Sequence, residues 1–127
     1  MFVYGTLRAG GSNDIRRFAP APELVGEASL RGVLYDLGAY PGMVLGGPSD
    51  VRGEVYRIAP RLEAALDRLE SVADDDSGEY VKREVDVALG GRSLRCLVYE
   101  IHSTRIEGRP VIASGDWLGR PFSRKEN

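Results

Sequence analysis

The chain has 127 residues, 43% of them hydrophobic and 28% charged, ordinary proportions for a globular domain and unlike those of a disordered one. Seventeen Lys and Arg against nineteen Asp and Glu leave a net charge of −2, which gives no electrostatic reason to expect nucleic acid or an anionic membrane as partner. A single cysteine, Cys96, excludes an intramolecular disulfide, and together with His102 it supplies too few nitrogen and sulfur ligands for a tetrahedral zinc site.

In chain order, Phe2-Val3-Tyr4 is a short β-prone run that stops at Gly5. Arg8 to Asp14 reads as a loop, with Ser12 or Asn13 placed to cap a short helix through Ile15–Phe18 that Pro20 and Pro22 end. Leu24 to Leu37 is β-rich, interrupted at Gly26 and Gly32, and Gly38 to Pro48 reads as a loop carrying Tyr40-Pro41-Gly42. Val51 to Ile58 is a further strand with Val51, Gly53 and Val55 on one face. The clearest helix starts at Pro60, where Leu62, Ala65, Leu66 and Leu69 fall on one buried stripe. Asp74 to Gly78 reads as an acidic loop. Tyr80 to Leu89 alternates, Gly90-Gly91 is a two-residue hairpin turn, and Leu94 to Ile101 returns as the partner strand, with Val85 and Val87 in the core. The basic tail is expected to fray.

Sixteen glycines and seven prolines are spread along the chain, which fits many short elements joined by turns. The element order predicts a single α+β domain over residues 1–127, with a mixed, curved sheet or small barrel. The N-terminus has no basic region, apolar region or cleavage site of a signal peptide, and no apolar run approaches the roughly 20 residues of a membrane span. A soluble, cytoplasmic monomer without membrane contact is the expectation.

Few residues announce chemistry. GxxxxGK[ST], HExxH, GxSxG and CxxC are all missing. The sole histidine, His102, follows a strand and reads as a surface residue; Cys96 lies within a strand and reads as a small buried apolar residue. Tyr4-Gly5-Thr6-Leu7 is of greater interest. A strand that ends on Gly beside a small hydroxyl residue can turn so that successive N–H groups face one concavity and bind a carboxylate or an oxyanion. Chemistry alone leaves this open against an ordinary glycine turn. Glu70, on the flank of the helical stripe, can lean into a cleft, but chemistry alone does not choose it over Glu54, Glu79 or Glu84.

Five blocks in order carry a resemblance. Phe2-Val3-Tyr4-Gly5-Thr6-Leu7-Arg8, Leu34-Tyr35-Asp36-Leu37-Gly38-Ala39-Tyr40-Pro41-Gly42, Val51-Arg52-Gly53-Glu54-Val55-Tyr56, Leu66-Asp67-Arg68-Leu69-Glu70 followed by Tyr80 and Arg83, and Ser114-Gly115-Asp116-Trp117-Leu118 together resemble the gamma-glutamylcyclotransferase-like family over nearly the whole chain. The resemblance implies a small α+β fold around a mixed, partly closed β-barrel with a few short helices. It implies that the Tyr4, Gly5, Thr6 and Leu7 loop binds a γ-glutamyl group, that Glu70 is the catalytic acid and base, and that Tyr80 lines the pocket. The reaction it implies closes a γ-glutamyl amide to 5-oxoproline and releases an amine. The substrate is then a small γ-glutamyl amine or peptide, with no metal or organic cofactor. Ser71 after the glutamate and the acidic insertion Asp74 to Glu79 depart from many family members, which bears on specificity. A non-catalytic module of the same fold, binding a small carboxylate, is the alternative. On either reading Glu79 and Glu84 are expected on the solvated side of the pocket.

Overall fold

The computed structural model describes residues 1–70 and 79–119. The stretch Asp74 to Gly78 and the basic tail lie outside the described residues. The elements are β1 (Phe2–Val3), a 3-10 turn (Ile15–Arg17), β2 (Glu23–Asp36), β3 (Pro41–Leu45), β4 (Ser49–Arg57), α1 (Pro60–Leu69), β5 (Tyr80–Leu89), β6 (Arg92–Ile101) and a second 3-10 turn (Ser103–Arg105). They build one six-stranded sheet in the order β1-β4-β2-β3-β6-β5. Neighbours are antiparallel except β3 and β6, which run parallel.

The sheet curls into a half-barrel. β3 and β6 lie between β2 and β5 in the strand order, yet Gly26 on β2 is so close to Leu89 on β5 that an added Cβ would sit 3.0 Å from the leucine side chain. Inside the curl is a core of Phe2, Leu34, Met43, Val51, Val87 and Val98, which the C-terminal segment closes with Ile112 and Trp117. A second core, on the other face, packs Leu62 and Leu66 of α1 against Val3, Tyr56, Tyr99 and Ile101.

The hairpin forms as the Gly90-Gly91 signal predicts: Leu89 pairs with Arg92 and Tyr80 with Ile101, while both glycines take positive φ. Val87 is fully buried, and Val85 packs half-buried against the same core.

Several expectations are corrected. Pro41 to Leu45, read as part of a loop, is a strand. Its Pro-Gly start resembles a turn, but tertiary pairing with β2 and β6 supplies partners for it, and proline is tolerated at a strand's first residue. Residues 23–36 form one continuous strand in which Gly26 marks only a register shift against β4. The 3-10 turn is capped by Asp14 rather than Ser12 or Asn13; its carboxylate accepts from the N–H groups of Gly10 at 2.8 Å and Arg16 at 2.9 Å. On α1 only Leu62 and Leu66 are buried, whereas Leu69 is 43% exposed and lines the recess beside Glu70. On the second face of β4, Glu54 and Tyr56 are buried while Arg52 is exposed. Glu54 there accepts from Arg8 Nε at 2.9 Å, the Ala9 N–H at 2.8 Å and the Tyr56 hydroxyl at 3.1 Å. Arg8 also donates to Asp116 at 2.6 Å, so one guanidinium joins the segment after β1 to β4 and to the C-terminal segment.

Candidate active site

β1 is an edge strand, paired with β4 on one side only. Between its continuation and β6 lies a narrow cleft lined by Val3, Tyr4, Gly5, Thr6, Leu7, Tyr40, Pro41, Glu70, Tyr80 and Tyr99 among others. The six residues singled out from the sequence (Tyr4, Gly5, Thr6, Leu7, Glu70 and Tyr80) all belong to this one lining.

Local backbone chemistry shapes the turn after β1. The Gly5 carbonyl accepts from the Arg8 N–H at 3.0 Å, that of Thr6 from Asn13 at 2.9 Å and that of Leu7 from Ile15 at 2.9 Å. All three carbonyls are therefore engaged. The N–H groups of Gly5, Thr6 and Leu7 have no acceptor among the described residues. A run of free donors in a cleft wall is suited to an anionic or carbonyl oxygen. Glycine is required at position 5, since a Cβ would lie 2.7 Å from Cγ of Pro41 across the cleft.

The tyrosines form rigid walls. Tyr4 is buried, its hydroxyl donating to the Tyr99 carbonyl at 2.6 Å and accepting from the Met43 N–H at 3.1 Å. The Tyr80 hydroxyl donates to the Pro41 carbonyl at 2.6 Å. Burial pushes both phenols well above their ordinary range, so they stay neutral. Both rings face the cleft with their hydroxyls already committed, so they shape it more than they hydrogen-bond across it.

Glu70 is the C-cap of α1, its N–H held by the Leu66 carbonyl at 2.9 Å. The helix is fastened from below. Lys82 on β5 donates to Glu63 at 2.5 Å and Asp67 at 2.7 Å, and the Tyr99 hydroxyl donates to Asp67 at 2.7 Å. These contacts direct the helix end, and with it Glu70, toward the Gly5–Leu7 turn. The Glu70 side chain is half-buried and has no hydrogen-bond partner among the described residues. Burial, and secondarily the Glu79 carboxylate, pushes its carboxyl up to about 7 from an ordinary 4.5. The negative end of the helix works in the same direction. A carboxyl titrating near neutrality can both take and give a proton there.

Glu79 is not on the solvated side. It is half-buried, accepts from the Tyr40 hydroxyl, and lines a neighbouring recess with Glu70, Thr6, Asn13, Leu69, Tyr40 and Tyr80. Glu84 is exposed and bound to Arg95 at 3.3 Å, away from the cleft. Tyr40, Tyr99 and Glu79 are the lining residues that sequence reasoning did not single out. Tyr40 stood within a recognisable block but read as loop, and Tyr99 is one of many strand aromatics. Cys96 is buried, and His102 caps the second 3-10 turn by accepting from the Thr104 N–H. Among the described residues no three His, Cys, Asp or Glu gather as metal ligands, and no helix is long and apolar enough to cross a membrane.

Comparison with known proteins bears on the family and the fold. The chain is 35% identical over 121 residues to the gamma-glutamylcyclotransferase family protein YtfP of Escherichia coli, covering 94% of this chain and 96% of that one. The solution structure of that protein superimposes with a TM-score of 0.62. YkqA from Bacillus subtilis, 27% identical, superimposes with a TM-score of 0.71 over 92% of this chain and 38% of its own. The gamma-L-glutamyl-butirosin B gamma-glutamyl cyclotransferase of Niallia circulans is 39% identical over 125 residues, 97% of this chain and 72% of that protein. The family model for gamma-glutamyl cyclotransferase, AIG2-like, matches residues 1–119. A half-barrel with its cleft beside the first strand, matched by that model over nearly its whole length, places this chain in the gamma-glutamyl cyclotransferase, AIG2-like family.

Proposed function

We propose that the protein is a γ-glutamyl cyclotransferase that converts a γ-glutamyl amide to 5-oxoproline and a free amine, with Glu70 as the general acid and base. The observation that carries this reading is a half-buried carboxyl titrating near 7 that shares one cleft with the donors of the Gly5–Leu7 turn. The substrate's α-ammonium is protonated at neutral pH and must lose a proton before its nitrogen can attack. Glu70 in its carboxylate form accepts that proton. The amine nitrogen then attacks the γ-carbonyl carbon within the same molecule, closing a five-membered ring, and the carbonyl oxygen becomes an oxyanion. The N–H groups of Gly5, Thr6 and Leu7 are suited to receive this oxygen or the substrate's α-carboxylate. Glu70 returns its proton to the leaving nitrogen, the C–N bond breaks, and the ring nitrogen passes its second proton to the departing amine through Glu70, so that 5-oxoproline and an ammonium depart with the carboxylate regenerated.

Because nucleophile and electrophile belong to one molecule, positioning supplies a large share of the rate, on the order of 7–11 kcal/mol for well-oriented pairs. The walls of Tyr4, Tyr80 and Tyr99 are suited to keep the substrate folded. The test is 5-oxoproline release from a panel of γ-glutamyl amides differing in the leaving amine. Turnover of at least one supports the reading. A protein that binds γ-glutamyl compounds but releases no 5-oxoproline is instead a small-carboxylate binding module.

A further inference from the structure

The recess beside the cleft contains a carboxylate that the reaction above does not use. Glu79 begins where β5 enters, and its backbone carbonyl accepts from the His102 N–H at 2.9 Å, which fixes its place on the chain. Its side chain accepts from the Tyr40 hydroxyl and forms no ion pair among the described residues. Glu70 lines the same recess, also without a cationic partner among the described residues. Two carboxyls thus line one recess with no cationic partner among the described residues. The next residue, Tyr80, holds Pro41, so Glu79 and Tyr80 together grip both residues of the Tyr40-Pro41 wall.

We propose that Glu79 is a positioning residue for the cyclisation: its carboxylate favours proton uptake by the neighbouring Glu70 and, through Tyr40, fixes the wall against which the γ-glutamyl group folds. This rests on the cyclotransferase reading of the cleft. A negative charge facing the same recess disfavours ionisation of its neighbour. Glu70 has no donor among the described residues to offset that repulsion, which adds to the larger effect of burial.

Among the described residues, the other groups facing Glu70 do not supply this bias. Tyr4, Tyr80 and Tyr99 are neutral phenols raised by burial. Glu100 is felt at Tyr4, but its carboxylate is taken by the Leu45 N–H and Arg83. Glu63 and Asp67 share Lys82, and Asp67 also accepts from the Tyr99 hydroxyl. Arg105 and Arg109 act on Tyr40.

Two variants separate the two parts of the role. Glu79→Gln removes the charge but keeps an oxygen to accept from Tyr40. Tyr40→Phe removes the hydrogen bond and leaves the charge. The readouts are the carbon-13 titration of the Glu70 carboxyl and the pH profile of kcat for an amide the wild type turns over. Glu79→Gln should lower the Glu70 midpoint by about one pH unit and move the kcat profile to lower pH by the same amount. Glu79→Asp, which keeps the charge, should restore the midpoint. Tyr40→Phe should raise KM severalfold and, by taking away the donor beside the Glu79 charge, lower the Glu70 midpoint by less than Glu79→Gln does; Glu84→Gln should change neither. A Glu79→Gln protein whose Glu70 titrates at the wild-type midpoint overturns the proposal while leaving the cyclotransferase reading intact. Failure of the wild type to release 5-oxoproline from any γ-glutamyl amide overturns both.

Discussion

At the residue scale, position sets the Glu70 carboxyl apart from an ordinary glutamate. The Glu70 carboxyl is brought to about 7 by burial and by Glu79, where an exposed glutamate would be nearly always ionised. Glu70→Gln keeps the size and loses the proton relay. Its 5-oxoproline release should fall by about 10²-fold or more, while calorimetry should still detect binding of a γ-glutamyl ligand through the Gly5–Leu7 turn. Equal turnover in variant and wild type would remove Glu70 from the reaction. Gly5 is the second critical residue. Gly5→Ala would place a methyl 2.7 Å from the Pro41 ring, and a proline ring cannot swing aside as a flexible side chain does. Pro41 must move, so KM for a γ-glutamyl amide should rise about tenfold or more and the melting temperature should fall. An unchanged KM would mean that the close approach does not shape the substrate site.

At the scale of elements, the hairpin β5–β6 and the helix α1 together locate the glutamate. Lys82 and Tyr99 on the hairpin hold Asp67, one turn before Glu70, so disturbing the hairpin disturbs the site as well as the core. Val87 is fully buried inside the curl. Val87→Asp places an unpaired carboxylate there and should destabilise by several kcal/mol, about 3–5, seen as a lower denaturant midpoint. A variant as stable as the wild type would contradict the placement of Val87 in the core. How much of this was legible beforehand differs between elements. The hairpin and α1 carry their own periodicity, and Gly90-Gly91 dictates the turn chemistry. Pro41–Leu45 does not: five residues beginning Pro-Gly have no alternation that distinguishes strand from loop, and only pairing with β2 and β6 makes them a strand.

Across the whole molecule, two groups with opposite shifts bound the pH range of stability. Asp14 is held well below the usual carboxylate range by Arg16 and by the Gly10 and Arg16 N–H groups. It stabilises the fold above its unfolded value near 4, and that contribution is lost as pH falls through the lower folded value. Asp116 acts in the same sense, because Arg8 and the Gly119 N–H outweigh the upward pull of burial. Glu70 works oppositely. Its folded value of about 7 exceeds the unfolded 4.5, so its contribution is fully present below about 4.5 and is lost as pH rises through 7. Stability should therefore be greatest at about pH 4 to 4.5, fall as pH rises from there to about 7, and level off above. The fall between about 4.5 and 7 is the part that Glu70 supplies. Glu70→Gln should abolish it, giving a protein about 1–3 kcal/mol more stable than wild type at pH 8 and little different at about pH 4. Urea titrations at the two pH values measure this, and an equal difference at both would show that Glu70 ionises freely in the folded state.

Taken by itself, the sequence determined what rests on local chemistry: the hairpin from its glycine pair, α1 from its leucine spacing, and the turn after β1 from Gly5. Five ordered blocks resembled the family to which the chain belongs, with the α+β half-barrel that the structure shows. The tertiary structure decided what depends on neighbours far along the chain. Chemistry alone did not rank Glu70 above Glu54, Glu79 or Glu84, because all four are ordinary glutamates until burial and partners are known. Folding gives Glu54 to Arg8, leaves Glu84 beside Arg95 in solvent, and puts Glu70 and Glu79 into one recess. Glu79 was misplaced for the same reason: its neighbour Tyr40 is 39 residues away, and a charge acting across a cleft leaves no periodicity to read.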